Sequence, residues 1–224
     1  MFIPLRDENP TRRLPAVTVL LVALNIGIFI YLALSRQGLS YHVLRMGVIP
    51  YEITHFRSVG DLTRVSPVLT LLTSMFLHGS LFHLLGNMLY LWIFGNNVED
   101  FLGSFRFIFF YLLSGFGASL TQVVFSPNSR VPMIGASGAI AGVLGAYLIL
   151  YPGARVMTLV FLFFFVRVMA IPAAYVLGLW FLLQVLNLGM GGGVAWFAHI
   201  GGFLIGIVLV KLLSGRRKGR VWVR

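Results

Sequence analysis

Cysteine is absent from this chain, and acidic residues are nearly so. The only carboxylates are Asp7, Glu8, Glu52, Asp61, Glu99 and Asp100, all before residue 101. Without cysteine there is no disulfide framework, no thiolate nucleophile and no thiolate-based zinc site. Without a carboxylate in the second half, a membrane aspartyl protease is excluded, because that chemistry needs two carboxylates within spans. A proton-coupled transporter relying on intramembrane Asp or Glu is disfavoured on the same ground. No His-Glu-x-x-His string occurs, which removes that class of metalloprotease. We therefore expect no metal and no cofactor.

Charge of either sign is scarce. Charged residues make up 10% of the chain and hydrophobic ones 58%, with a mean hydropathy of +0.93. Soluble domains carry about 25% charged and about 45–50% apolar residues, so the composition is that of a polytopic membrane protein. The net charge of +11 is carried largely at the two ends, by Arg6, Arg12 and Arg13 and by Lys211, Arg216, Arg217, Lys218, Arg220 and Arg224. Basic flanks beside hydrophobic spans are what the positive-inside rule expects of cytoplasmic segments. No basic face alternates with stacking aromatics outside the spans, so nucleic acid is not an expected partner. Membrane lipids are, with headgroup contact the default role of the basic tail.

The apolar runs divide the chain into a basic N-terminal segment (1–16), a core of six helical spans (17–213) and a basic tail (214–224). The first span covers Val17 to Leu34, too long for a signal peptide's apolar region. A long polar loop, 35–66, follows. Residues 68–76 then repeat apolar side chains at helical spacing after Ser66-Pro67, which predicts a short amphipathic helix in the interface. The second span is expected from Leu81 to Phe94, stopping at Gly95-Asn96-Asn97, and the third from Phe105 to Val124. The fourth begins near Ser137 and ends by Tyr151-Pro152. Val156 to Phe165 reads as an interfacial stretch, followed by a fifth span from Met169 to Leu188. A glycine-rich loop, Gly189 to Gly193, leads to the sixth span, Val194 to Leu213. Six spans put both basic termini on one side, the cytoplasmic one by charge.

Three groups of polar residues interrupt this pattern, and each sits at the start of an even-numbered span. His83 and Asn87 are four residues apart and share a helix face. Ser137 lies in Gly135-Ala136-Ser137-Gly138, and His199 in Ala198-His199-Ile200-Gly201-Gly202. Alternating spans bring all three groups to one layer near the outer side. Gly138 with Gly142, Ala141 with Gly145, and Gly202 with Gly206 are small-x-x-x-small pairs, the spacing that lets helices approach closely in lipid. Packing span four on span six would put Ser137 within hydrogen-bond reach of His199. Taken alone, Ser137 reads equally well as a helix N-cap, and His199 as a bonded intramembrane polar residue. Together they fit a nucleophile and its base. With no carboxylate in the second half, the expectation is a Ser-His dyad in which packing around the imidazole replaces the third member of a triad. Asn87 and His83 are suitable oxyanion donors, with a structural hydrogen-bond cluster as the alternative.

These motifs resemble the rhomboid intramembrane serine proteases of bacterial type. Gly135-Ala136-Ser137-Gly138 matches that family's nucleophile motif. Ala198-His199-Ile200-Gly201-Gly202 with Gly206 is similar to its histidine motif, and His83 with Asn87 to its oxyanion pair. His78 matches a further histidine of structural role just before that helix. The resemblance runs from about Val17 to Leu213. It implies a six-helix core in the bacterial inner membrane that cleaves single-span substrates near the outer ends of their transmembrane helices. It also implies substrate entry past span five and a mobile loop after it. A catalytically inactive rhomboid-like binder or escort is the alternative, although such relatives typically lack the serine or the histidine. This chain departs from some members in having no Trp-Arg pair in the first loop. It also has Ala141 where some carry a tyrosine that stacks on the histidine, so the orientation of His199 must be set by other groups. Oligomeric state is left open.

Overall fold

The computed structural model describes residues 2–59, 65–162, 165–190 and 193–214. Its elements in chain order are β1 (Phe2–Asp7), α1 (Ala16–Ala33), α2 (Gly38–Met46), α3 (Pro50–His55), α4 (Pro67–Thr73, continued by a 3-10 turn Ser74–Phe76), α5 (Leu81–Leu102), α6 (Ser104–Phe125), α7 (Ser137–Leu150), β2 (Arg155–Leu162), β3 (Phe165–Pro172), α8 (Ala173–Leu186) and α9 (Trp196–Leu213). Among the described residues, α1, α6 and α9 are long and apolar enough to cross a membrane. The α4 unit and α5, bent by 79° at the break between them, pass that test together, and α7 and α8 are shorter apolar helices. Large side chains stay exposed on the outer faces of these helices, among them Leu20, Tyr31, Phe105, Phe125, Leu186 and Leu212. A soluble monomer rarely carries such a continuous apolar exterior. The chain is an integral, polytopic, mostly helical membrane protein.

The second helix does not stop at Gly95-Asn96-Asn97 as expected, but runs eight residues further, to Leu102. The polar residues there are used sideways. A Cβ on Gly95 would touch Thr18 of α1 at 3.3 Å, so glycine lets the two helices approach. The Asn97 amide donates to the Asn9 carbonyl at 2.6 Å. Glu99 then caps the neighbouring helix. Its carboxylate accepts from the backbone N–H groups of Val17 at 3.0 Å and Thr18 at 2.8 Å, from the Thr18 hydroxyl at 2.8 Å and from the Ser104 hydroxyl at 2.7 Å. An acid at a helix N-terminus satisfies orphan donors and meets the positive end of the dipole.

The expected start of the fifth span at Met169 is corrected, and the described part of the stretch expected at 156–165 takes the form of strand. Residues 155–172 form an antiparallel hairpin, β2 paired with β3 from Arg155↔Pro172 to Leu162↔Phe165. The hairpin is joined by β1 in the order β1-β2-β3, so the N-terminal segment is part of a sheet and not only a basic flank. The fifth helix begins only at Ala173, after Pro172. The reason lies in a period of two: Val156 and Thr158 are fully buried while Arg155 is exposed, and β-branched side chains favour a pleated backbone. Register slips between Pro4 and Arg6, and proline sits on an edge strand, where its missing N–H costs no ladder bond. The first loop, 35–66, also holds structure the sequence reading lacked, in α2 and α3. Residues 215–224, which include most of the basic tail, lie outside the described residues.

The sheet follows the C-terminal end of α7, and Ser137 opens its N-terminal end, so the two mark opposite ends of the bundle. At the sheet end the Tyr147 hydroxyl donates to Asp7 Oδ2 at 2.6 Å. Burial raises the Asp7 carboxyl from 3.8 to about 6, partly offset by that hydrogen bond.

Two outcomes follow from these caps and buried acids. Glu99→Ala strands several buried donors, each worth about 1–3 kcal/mol when unsatisfied, and should lower the thermal melting temperature in detergent by an amount equivalent to about 2–4 kcal/mol. Asp7 binds its proton more tightly when folded, so its own contribution to stability should be greatest below about pH 4. It should fall as pH rises to about 6 and level off above. The loss should be about 1–2 kcal/mol once partial exposure is allowed for. Melting curves of Asp7→Asn across this range should lack that slope.

Candidate active site

The site begins with how closely α7 and α9 approach. A Cβ on Gly202 would collide with the carbonyl oxygen of Gly138, and one on Gly206 with the backbone of Gly142. Gly145 faces the backbone of Phe203 in the same way. The glycines expected to pack helices therefore face one another across this interface, at successive turns. Gly201 turns instead to α6, where a Cβ would run into Thr121. Gln122 of α6 fixes the start of α9, its side-chain oxygen accepting from the Ala198 N–H at 3.2 Å.

This contact brings the serine and the histidine together. His199 Nε2 lies 2.8 Å from Ser137 Oγ. Ser137 is the first residue of α7, following Ala136 at the N-cap. Fourteen residues at about 1.5 Å each make α7 about 21 Å long, against a hydrocarbon core of about 30 Å. Ser137 consequently sits below the level of a full span's end. Its backbone N–H, in the first turn, has no i−4 carbonyl to bond.

The loop before Ser137 is fastened twice. Val48 and Met133 exchange backbone hydrogen bonds at 3.0 and 2.7 Å, and the Gly135 N–H donates to the Ser74 carbonyl at 2.9 Å. Gly135 has φ +118°, a conformation that L side chains rarely adopt. A Cβ there would also lie 2.8 Å from His83 Nε2 and 3.6 Å from Asn87 Nδ2. His83 and Asn87 thus flank the backbone two residues before the serine. The His83 N–H bonds the Ser80 hydroxyl, which caps α5. The Asn87 side-chain N–H2 group is buried and has no partner among the described residues. The group lines the same cavity as Ser137. His78 is fully buried and sets its ring edge-on to His83 at 5.0 Å.

All four expected polar residues, Ser137, His199, His83 and Asn87, line one cavity of about 710 Å³. Gly135 and Gly138 border the same space, while Gly202 and Gly206 act behind it. Among the described residues no cluster of three or more potential ligands could hold a metal ion.

Sequence reasoning missed the residues that hold the imidazole. Gln184 of α8 places Oε1 2.8 Å from His199 Nδ1, and its own Nε2 donates to the Trp180 carbonyl at 3.0 Å. The Trp180 ring lies 5.9 Å from the His199 ring at 39°, and Trp196 meets it edge-on at 6.2 Å. Ala141 itself offers no ring to the imidazole. The signal was an amide in an otherwise apolar span, and such residues usually face a partner.

Bundle and site together define a helical membrane protein with a serine-histidine pair sunk below one end. The profile of the rhomboid domain matches residues 66–216, and the chain belongs to the rhomboid family. It is 32% identical over 172 residues to the mitochondrial rhomboid protein 1 of Saccharomyces cerevisiae, covering 70% of this chain and 46% of that protein. To RHOMBOID-like protein 4 of Arabidopsis thaliana it is 37% identical, over 62% of this chain and 32% of the relative. To the rhomboid protease GluP of Bacillus subtilis it is 36% identical, over 66% and 27%. The chain thus spans less than half the length of each.

The α7–α9 contact predicts a sharp contrast between glycines. Gly206→Val drives a branched side chain into the α7 backbone and should destabilise by about 1–3 kcal/mol or more. Gly27→Ala, with nothing within 4 Å of the added methyl, should leave the melting temperature in detergent unchanged or slightly raised.

Proposed function

We propose that the protein is an intramembrane serine endopeptidase that uses Ser137 as nucleophile and His199 as general base. The observation that carries this reading is the 2.8 Å contact between His199 Nε2 and Ser137 Oγ in a cavity among the apolar helices. Family membership supports it, as does the Bacillus relative whose name is rhomboid protease.

In the first step Ser137 Oγ attacks the scissile carbonyl carbon while its proton passes to His199 Nε2. Negative charge then develops on the carbonyl oxygen. The free Asn87 N–H2 group, the His83 ring and the Ser137 backbone N–H are the donors close enough to receive it. His199 returns the proton to the leaving amine, which departs and leaves an acyl-serine. Water, deprotonated by the same imidazole, hydrolyses that ester and regenerates Ser137. No cofactor enters the scheme.

The substrate class is a single-span membrane protein whose helix unwinds near the end level with Ser137, because a peptide bond must be extended to reach the serine. The end of the bundle carrying the sheet is richer in described cations, with Arg6, Arg12, Arg13, Arg106, Arg155 and Lys211 near it. That bias favours a cytoplasmic sheet end with both termini there, and a site near the opposite face of a bacterial inner membrane. Six crossings, one for each long or short apolar helix, accord with that topology.

The test uses purified protein in liposomes, a fluorophosphonate probe and a single-span model substrate. Wild type should label and cleave, and Ser137→Ala and His199→Ala should do neither. Asn87→Ala should lower kcat by about 10²–10³ while still labelling slowly. Labelling that persists in Ser137→Ala would overturn the mechanism. A wild type inert to the probe and to every helix would instead favour an inactive binder.

A further inference from the structure

We propose that Gln184 is a positioning residue that holds His199 in the one tautomer able to accept the Ser137 proton, the place a carboxylate takes in a triad. The inference rests on the Ser137–His199 reading and adds a third member to it from α8.

A neutral imidazole has one N–H and one bare nitrogen. To act as base toward Ser137, Nε2 must be bare, so Nδ1 must carry the hydrogen and needs an acceptor. Which atom of an amide faces a ring nitrogen is ordinarily ambiguous. Here the helix resolves it. The other end of the Gln184 amide meets the Trp180 carbonyl at 3.0 Å, and a carbonyl can only accept. The amide nitrogen therefore faces Trp180, and the oxygen faces His199 Nδ1 at 2.8 Å. An oxygen without hydrogens at that distance selects the Nδ1–H tautomer and leaves Nε2 bare toward Ser137.

Burial makes this selection firm. Gln184 is 7% exposed, so water competes poorly for either of its bonds, and the Trp180 and Trp196 rings limit rotation of the imidazole. When the Ser137 proton reaches Nε2, Nδ1–H stays bonded to the amide oxygen and Gln184 takes no proton itself. Its effect is on the preparation of the base, and so on kcat.

The experiment compares Gln184→Met, Gln184→Glu, Ser137→Ala and His199→Ala, full-length, in liposomes. Gln184→Met keeps the volume and removes the acceptor. Its kcat should fall about 10- to 100-fold, the usual cost of losing an imidazole's orienting partner, with KM within about twofold and an unchanged melting temperature. Gln184→Glu keeps an acceptor oxygen in either protonation state and should recover to within about tenfold of wild type. Nitrogen-15 spectra of histidine-labelled wild type should show His199 protonated at Nδ1, a readout that needs no variant to fold. A wild type protonated at Nε2, a Met variant at full kcat, or a Glu variant as impaired as Met would each overturn the proposal. Cleavage surviving in Ser137→Ala or His199→Ala would sink the underlying mechanism instead. If both alanine variants are dead while Gln184→Met is fully active, only the role of Gln184 falls.

Discussion

Two helix backbones can approach to van der Waals contact only where neither carries a side chain, and the arrangement of this protein hangs on that constraint. Gly138 against Gly202 and Gly142 against Gly206 set the distance between α7 and α9. Ser137 is the residue before the first of these glycines, and His199 lies one turn before Gly202. Ser137 and His199 are thus held together by the same contact that packs the bundle, within a turn of the facing glycines. In a bilayer, where apolar side chains gain little from leaving lipid, such shape complementarity is the main force joining helices.

Placing the third polar partner on α8 solves an electrostatic problem without an acid. A carboxylate beside His199 would have to be desolvated with several kcal/mol of penalty, whereas an amide oxygen accepts the same hydrogen bond with no net charge. In the proposed reaction the cost is weaker stabilisation of the imidazolium, since charge-assisted hydrogen bonds are roughly twice as strong. The acid-free second half of the sequence and the Gln184 contact are two faces of this choice.

The positions of the helices were legible wherever apolar length and polar punctuation agreed. α1, α6, α7 and α9 fall within about two residues of the expected spans, and Ser137, His199, His83 and Asn87 converge because each opens an even-numbered span. The failures have physical causes. Gly95-Asn96-Asn97 resembles a stop signal, but Gly95 makes room for α1 and the Asn97 amide reaches the Asn9 carbonyl ahead of that helix, which one-dimensional pattern cannot show. Apart from Thr158, residues 156–166 are apolar on alternate and intervening positions alike, so the sequence pattern does not separate a strand from a helix there. Gln184 is an amide in an otherwise apolar helix, yet its partner depends on the rotation of α8, and an apolar helix gives no face to read that from.

The small sheet has a consequence for assembly. β1 pairs Phe2 with Val160, so this strand has no partner until α1, α5, α6 and α7 have been made after it. Contacts so distant in sequence form late, after the loop between them has been closed by other packing. Through that pairing β1 ties the segment before α1 to the connection between α7 and α8, two parts of the chain that the helices themselves do not join.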